Sequence, residues 1–231
     1  MWRATASRLG LLPIQRILAE GSRRGASVEQ FRALEVFGCT GERLTKHYAP
    51  LVRSVEVWEI DPSLEPALRR NLPTATVRIT DSFAEIKRTL SRFDLVVVDN
   101  PVGCFGDGRC EHFDPFPDVA RVLSDDSMLV LLVCSGDDPV TRARYPNLFD
   151  EPQLARRRSF YGVADPREIP LTELAAHYRR RLEALGMSVE WHVFRQKYEP
   201  HGLLPRRVGL YFLALKLRAT EPRPETGTSA P

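Results

Sequence analysis

The chain has 231 residues, 43% of them hydrophobic and 27% charged, which is ordinary globular chemistry with apolar side chains for one sizeable core, so that disorder is not the default. Its formal charge of +3 lies far below the density of a dedicated nucleic-acid binder, and arginine carries nearly all of it, the lysines being only Lys46, Lys87, Lys197 and Lys216. Four cysteines in a domain large enough to fold without disulfide staples fit a reducing cytoplasm, and no apolar run approaches the ~20 residues of a membrane span.

Residues 1–31 read as an N-terminal helical extension. Arg3, Arg8, Arg16, Arg23 and Arg24, with Ser7, Ser22 and Glu20, have the composition of a mitochondrial transit peptide. The competing reading is a surface helix over 13–20 that packs Ile14, Ile17 and Leu18 onto the domain at helical spacing.

Residues 32–37 form a short apolar run that ends at Gly38-Cys39-Thr40-Gly41, a buried strand entering a tight turn. A short helix over 42–48 follows. Residues 54–60 alternate into a second strand stopped by Asp61-Pro62, after which Ser63 can cap a helix through Asn71. Residues 76–79 make a third strand, and Ser82-Phe83-Ala84-Glu85 reads as a capping box opening the next helix.

Leu95-Val96-Val97-Val98 is wholly apolar, as a strand covered on both faces must be, and ends at Asp99-Asn100-Pro101; it is predicted to be the central strand. A helix over 117–123 leads to a fifth strand over 128–133. This strand and helix rhythm predicts parallel crossovers in a doubly wound α/β sheet.

Residues 136–170, rich in Asp, Pro and Arg, read as a substrate or lid insertion with one short helix near 151–157. Leu171, Leu174, Ala175, Tyr178, Leu182 and Leu185 then line one helical face, closed by Gly186. Strands over 188–194 and 208–217 have no helix between them, so they must run antiparallel. The domain thus spans 32–218, and 219–231 reads as a disordered tail.

In an open parallel sheet, ligands bind beyond the carboxyl ends of the strands, where the strand order reverses. Gly38 and Gly41 flank the turn there, Glu59 ends the second strand, Asp81 follows the third, and Asp99 ends the fourth. A carboxylate at the end of the second strand can take both hydroxyls of a ribose, which suits an adenosine-bearing cofactor.

The run Ala33-Leu34-Glu35-Val36-Phe37-Gly38-Cys39-Thr40-Gly41 resembles the first motif of class I S-adenosylmethionine-dependent methyltransferases. Glu59-Ile60-Asp61-Pro62 resembles the second, Thr80-Asp81-Ser82 the adenine-side motif, and residues 93–100 the motif beside the reacting methyl. The resemblance covers roughly residues 32–217. It implies a Rossmann-like, mostly parallel seven-stranded sheet with a C-terminal antiparallel strand pair, and S-adenosylmethionine as cofactor. It further implies that Glu59, with Ile60 beside it, grips the ribose, and that Asp81 and Ser82 meet the adenine. Gly41 would admit the methionine portion, Phe37, Gly38, Cys39 and Thr40 would complete the cofactor-binding loop, and Glu35 would orient it. The chain departs from the pattern in one respect: Phe37 and Cys39 stand where the family usually has glycines.

Methyl transfer needs alignment of acceptor and methyl, and a base only when the acceptor carries a proton. Asp99 and His112 are the titratable groups placed for that help. Asp99 could instead cap the following turn, and His112 could pack among Phe105, Phe113 and Phe116. The acceptor stays open among small molecules, protein side chains and RNA, and the sequence does not specify an oligomeric state.

Other readings compete. A nicotinamide-dependent oxidoreductase expects Gly-x-Gly-x-x-Gly and a substrate domain. An aminopropyltransferase shares Glu59-Ile60-Asp61 and residues 98–103 but carries a β-rich N-terminal piece. Asn100-Pro101 matches half of the signature of base-amino methylating enzymes, without its aromatic. A methyltransferase-like scaffold without catalysis is favoured by Phe37 and Cys39. Arg156 to Arg158, Arg179 to Arg181 and Arg206-Arg207 could hold RNA, though Arg179 to Arg181 lie on an amphipathic helix whose apolar face is already assigned, which makes most of that triplet solvated surface. Cys104, Cys110, His112 and Asp114 fit no standard zinc spacing, so no metal is expected.

Overall fold

The computed structural model describes residues 12–100, 104–105, 109–135, 138–201 and 204–221. The strands are β1 (Arg32–Glu35), β2 (Ser54–Glu59), β3 (Thr76–Ile79), β4 (Phe93–Val98), β5 (Cys104–Phe105), β6 (Arg109–Cys110), β7 (Leu123–Cys134), β8 (Met187–His201) and β9 (Leu204–Ala219). Seven of them form one sheet in the order β3-β2-β1-β4-β7-β9-β8, and β5 pairs with β6 separately. Parallel pairing joins β3, β2, β1, β4 and β7, whereas β9 runs antiparallel to both β7 and β8. Only β9 is therefore reversed, and β4 is central, as its unbroken apolar run requires.

The helices are α1 (Pro13–Arg23), α2 (Thr45–Tyr48), α3 (Glu65–Asn71), α4 (Ser82–Arg88), α5 (Phe116–Val122), α6 (Pro139–Arg144), α7 (Glu151–Tyr161) and α8 (Leu171–Ala184). Residues 95–98 of β4 and 128–134 of β7 are buried without exception, so the core is centred on these two strands. α1 buries Ile14, Ile17 and Leu18 completely, and its axis packs on β8 and β9. Each buried aliphatic side chain of this kind contributes about 1.5–3 kcal/mol. Of the Arg-rich N-terminal segment, residues 1–11 lie outside the described residues, as do 222–231 of the expected tail. No described helix is long and apolar enough to cross a membrane.

Several local expectations shift. β1 ends at Glu35 rather than at Phe37, although the Val36 N–H still donates to the Val97 carbonyl and the Gly38 N–H to the Trp58 carbonyl. The helix expected to start on a Ser63 cap is preceded by a 3-10 turn capped by Asp61, whose carboxylate accepts from the Ser63 N–H. Ser82 does not cap α4: Asp81 does, accepting from the Phe83 N–H at 2.9 Å, while the Ser82 hydroxyl donates to the Val36 carbonyl. A carboxylate is the stronger acceptor for an orphan helix N–H, so it takes the cap. Glu85, the other half of the expected box, pairs instead with Arg78 and Arg88.

The insertion holds α6 and α7 rather than one short helix. Its lack of apolar periodicity has a simple cause: the buried face of α7 carries Gln153 and Arg157 beside Leu154, Phe160 and Tyr161. Arg157 is fully buried and donates to the carbonyls of Leu148 at 3.4 Å, Cys134 at 3.5 Å and Pro166 at 2.6 Å. It ties α7 to the end of β7. The final strands are also longer than their apolar cores, since Arg195, Gln196 and Lys197 extend β8 without any hydrophobic alternation.

Candidate functional site

The chain runs from β1 outward to β2 and β3, then returns to place β4 on the other side of β1. The strand order reverses between β1 and β4, which opens the crevice at their carboxyl ends. All the strand-end acids singled out from the sequence come from this edge of the sheet.

The loop after β1 is drawn tightly against β2. The Gly38 N–H donates to the Trp58 carbonyl at 2.8 Å, and a Cβ on Gly38 would stand 2.2 Å from Val57 Cγ1. The Gly41 N–H closes the turn onto the Gly38 carbonyl at 2.8 Å, and Gly41 itself has φ of +66°. Cys39 adopts φ of +48°, the one non-glycine among the described residues in the left-handed region. The loop thus keeps a glycine-like path where the sequence has cysteine, a conformation that costs an L-residue roughly 1 kcal/mol.

Glu59 supports that path. Its buried carboxylate accepts from the Cys39 N–H through Oε2 at 2.7 Å and from the Asp61 N–H through Oε1 at 2.9 Å. Each oxygen keeps acceptor capacity beyond these bonds. The adjacent Ile60 is 61% exposed, an apolar surface beside a polar grip. Across the β3 end, Asp81 spends Oδ1 on the Phe83 N–H and pairs Oδ2 with Arg109 Nη1 at 3.2 Å. The Phe37 and Phe83 rings lie 5.6 Å apart between the two loops.

Glu35 is buried at the end of β1, and its Oε2 accepts from the Tyr48 hydroxyl at 2.8 Å and the Thr45 hydroxyl at 3.2 Å. Glu35 is paired in register with Val97, so Asp99, two residues on, shares its side of the sheet. Burial, and after it the Asp99 charge, push the Glu35 carboxyl well above the usual carboxylate range. Burial and the neighbouring Glu35 likewise raise the Tyr48 hydroxyl.

His112 sits apart, in an aromatic cluster. Its Nε2 shares a hydrogen bond with the Tyr178 hydroxyl, which meets the Tyr161 hydroxyl at 2.9 Å. Phe113 lies edge-on at 4.9 Å. Burial holds the imidazole neutral, with its pKa pushed down to about 3; the Asn100 carbonyl works the other way, and Nδ1 lacks hydrogen-bond geometry. His112, Val36, Val98 and Leu131 share the lining of a cavity of about 10 Å³, barely room for one water.

The structure therefore gathers Glu35, Glu59, Asp81 and the loop 37–41 along one edge, with Asp99 next to Glu35, and sets His112 among aromatic rings. Sequence reasoning missed Thr45 and Tyr48, which hold Glu35, and Arg109, which meets Asp81. No spacing rule links these residues to their acids. The basic clusters are largely engaged: Arg156 pairs with Asp114, Arg158 with Glu151, and Arg179 and Arg181 donate to backbone carbonyls. Among the described residues no group of three or more His, Cys, Asp or Glu is placed to hold a metal ion.

No protein-family model matches the chain, and no curated protein matches its sequence. Solved structures do match its fold. A protein described in work on conversion of a disulfide bond into a thioacetal group during echinomycin biosynthesis aligns with a TM-score of 0.56 at 17% identity, over 89% of this chain and 82% of that one. A candidate methyltransferase from Bacillus halodurans C-125 aligns with a TM-score of 0.52 at 13% identity, over 87% of this chain and 97% of that one. TYW2 from P. horikoshii, solved in complex with MeSAdo, aligns with a TM-score of 0.50 at 13% identity, over 85% of this chain and 60% of that one. With its sheet order and single reversed strand, the chain has the Rossmann-like fold of class I S-adenosylmethionine-dependent methyltransferases.

Proposed function

We propose that this chain is an S-adenosylmethionine-dependent methyltransferase whose cofactor lies across the carboxyl ends of β1 to β4. The observation that carries the reading is Glu59: a buried strand-end carboxylate, anchored by two backbone N–H groups, with acceptor capacity left on both oxygens. Adjacent ribose hydroxyls are suited to that grip. Ile60 would cover one face of the adenine, with Asp81 and Ser82 at its amino edge. Phe37, Gly38, Cys39, Thr40 and Gly41 would follow the methionine portion. The acid pair Glu35 and Asp99 fits a ligand bearing ammonium and sulfonium charges, and a cation there would return Glu35 toward its ionised form.

When bound, the cofactor supplies a methyl group on a sulfonium, open to in-line displacement by an acceptor lone pair. The chain's part is to align the two and keep water away. Asp99 is the group to take a proton when the acceptor carries one. His112, weakly basic in its aromatic setting, packs behind the strand end, where it shares the lining of a small cavity with Val98.

Titration calorimetry with S-adenosylmethionine and S-adenosylhomocysteine tests the reading. Glu59→Ala should weaken binding by ~2–3 kcal/mol, the size of hydrogen bonds to a charged group. Because Glu59 also holds the β1 loop, melting curves of the ligand-free variant must accompany the titration. Unchanged affinity would remove Glu59 from the cofactor, and no heat with any adenosyl ligand would leave a methyltransferase-like scaffold. A tritiated-methyl transfer assay against lysate split into small-molecule, protein and RNA pools then finds the acceptor.

A further inference from the structure

Arg109 reaches from β6 to the turn between β3 and α4. Its guanidinium lies 4.6 Å from the centroid of the Phe83 ring, and Nη1 stands 3.2 Å from Asp81 Oδ2. A guanidinium is planar and delocalised, with N–H donors in its plane, so it presents one residue with a flat face and another with a donor edge. An adenine ring presents the same pair of features, its π face and its exocyclic amino group. Asp81 has already committed Oδ1 to the Phe83 N–H, which leaves Oδ2 as the oxygen for an incoming amino group. That oxygen, and one face of Phe83, are what Arg109 occupies.

We propose that Arg109 is a built-in competitor for the adenine position: it holds the Asp81 oxygen and the Phe83 face that the heterocycle would need, and the cofactor must displace it to bind. The proposal rests on the cofactor reading given above. It makes the observed affinity the difference between two occupants of one subsite, so a ligand that matches only one of the Asp81 and Phe83 contacts binds more weakly than one that matches both. Phe37, 5.6 Å from Phe83, backs the same aromatic surface from the β1 loop.

The test is calorimetry with S-adenosylhomocysteine on wild type, Arg109→Ala and Arg109→Lys, with circular dichroism melts to show that each variant folds. Arg109→Ala should bind about five- to thirty-fold tighter, the combined worth of a partly exposed ion pair and a cation–π contact. Arg109→Lys, which keeps the charge on Asp81 but loses the flat face, should fall between. An alteration that merely damaged the structure would weaken binding instead. Unchanged or weaker affinity in Arg109→Ala, with wild type binding normally, overturns the competitor alone. Absence of binding in all three proteins overturns the cofactor reading and this proposal together.

Discussion

Gly38→Ala perturbs the joint that holds the β1 loop on β2. The backbone at Gly38 is not in the left-handed region, so the objection to a side chain is purely one of space: the new Cβ would lie 2.2 Å from Val57 Cγ1 and 3.4 Å from both Leu68 Cδ2 and the Trp58 carbonyl oxygen. Val57 is completely buried in the sheet and has nowhere to go, so the loop must lift. Lifting strains the Gly38 N–H bond to the Trp58 carbonyl and the Cys39 N–H bond to Glu59. Overpacking costs about 1–3 kcal/mol and a weakened hydrogen bond about 1 kcal/mol, so the variant should lose about 2–4 kcal/mol. Val57→Ala by itself should lose about 1.5–3 kcal/mol through its cavity. In the double variant the clashing methyl is gone, and the two losses should fall short of their sum by about 1–2 kcal/mol. Equilibrium urea unfolding of the four proteins measures this coupling. Additive losses, within about 0.5 kcal/mol, would refute the idea that Val57 sets the height of the loop.

Three further outcomes follow from the same geometry. Glu35 has its folded pKa raised, so it stays protonated in the fold while the unfolded chain ionises, and stability is lost as pH rises above the unfolded carboxylate value; Glu35→Gln, which can still accept from Tyr48 and Thr45, should gain on wild type by up to ~1.4 kcal/mol per pH unit through that window in urea midpoints. His112 has its folded pKa lowered to about 3, so the unfolded chain binds a proton first and stability falls as pH drops from about 6.5 toward 3; His112→Gln should flatten that acid limb, and an unchanged slope would contradict a buried neutral imidazole. Asp99→Asn should cut methyl-transfer turnover by ~10²-fold while leaving S-adenosylhomocysteine affinity nearly intact, and full turnover in steady-state kinetics would show that no proton passes through Asp99.

The architecture was largely legible in the chain itself, because it depends on periodicity. The apolar run 95–98 could only be a strand covered on both faces, and it lies at the centre of the sheet. The spacing of Leu174, Tyr178 and Leu182 on α8 announced the helix that buries them. Two strands with no crossover helix between them had to be antiparallel, as β8 and β9 are. Where polar residues line a buried or extended element, the pattern disappears: α7 hides Arg157 and Gln153, and β8 runs on through Arg195 and Lys197.

For the site, the sequence by itself determined which acids end which strands, since alternation and stop signals are local. It also set Gly38 and Gly41 at the turn after β1. What only the tertiary structure decided is which groups meet. Glu59 and Cys39 are twenty positions apart, and only the parallel register of β1 and β2 brings a carboxylate onto that N–H. Cys39 tolerates a left-handed backbone because Glu59 and the packed Gly38 hold it there, a stabilisation no single-residue propensity contains. Glu35 becomes a protonated acid only through burial beside Asp99, and Arg109 meets Asp81 across 28 positions of the chain. Strand ends follow from short-range sterics and hydrophobic alternation, but desolvation and pairing between distant groups arise only once the sheet has assembled them.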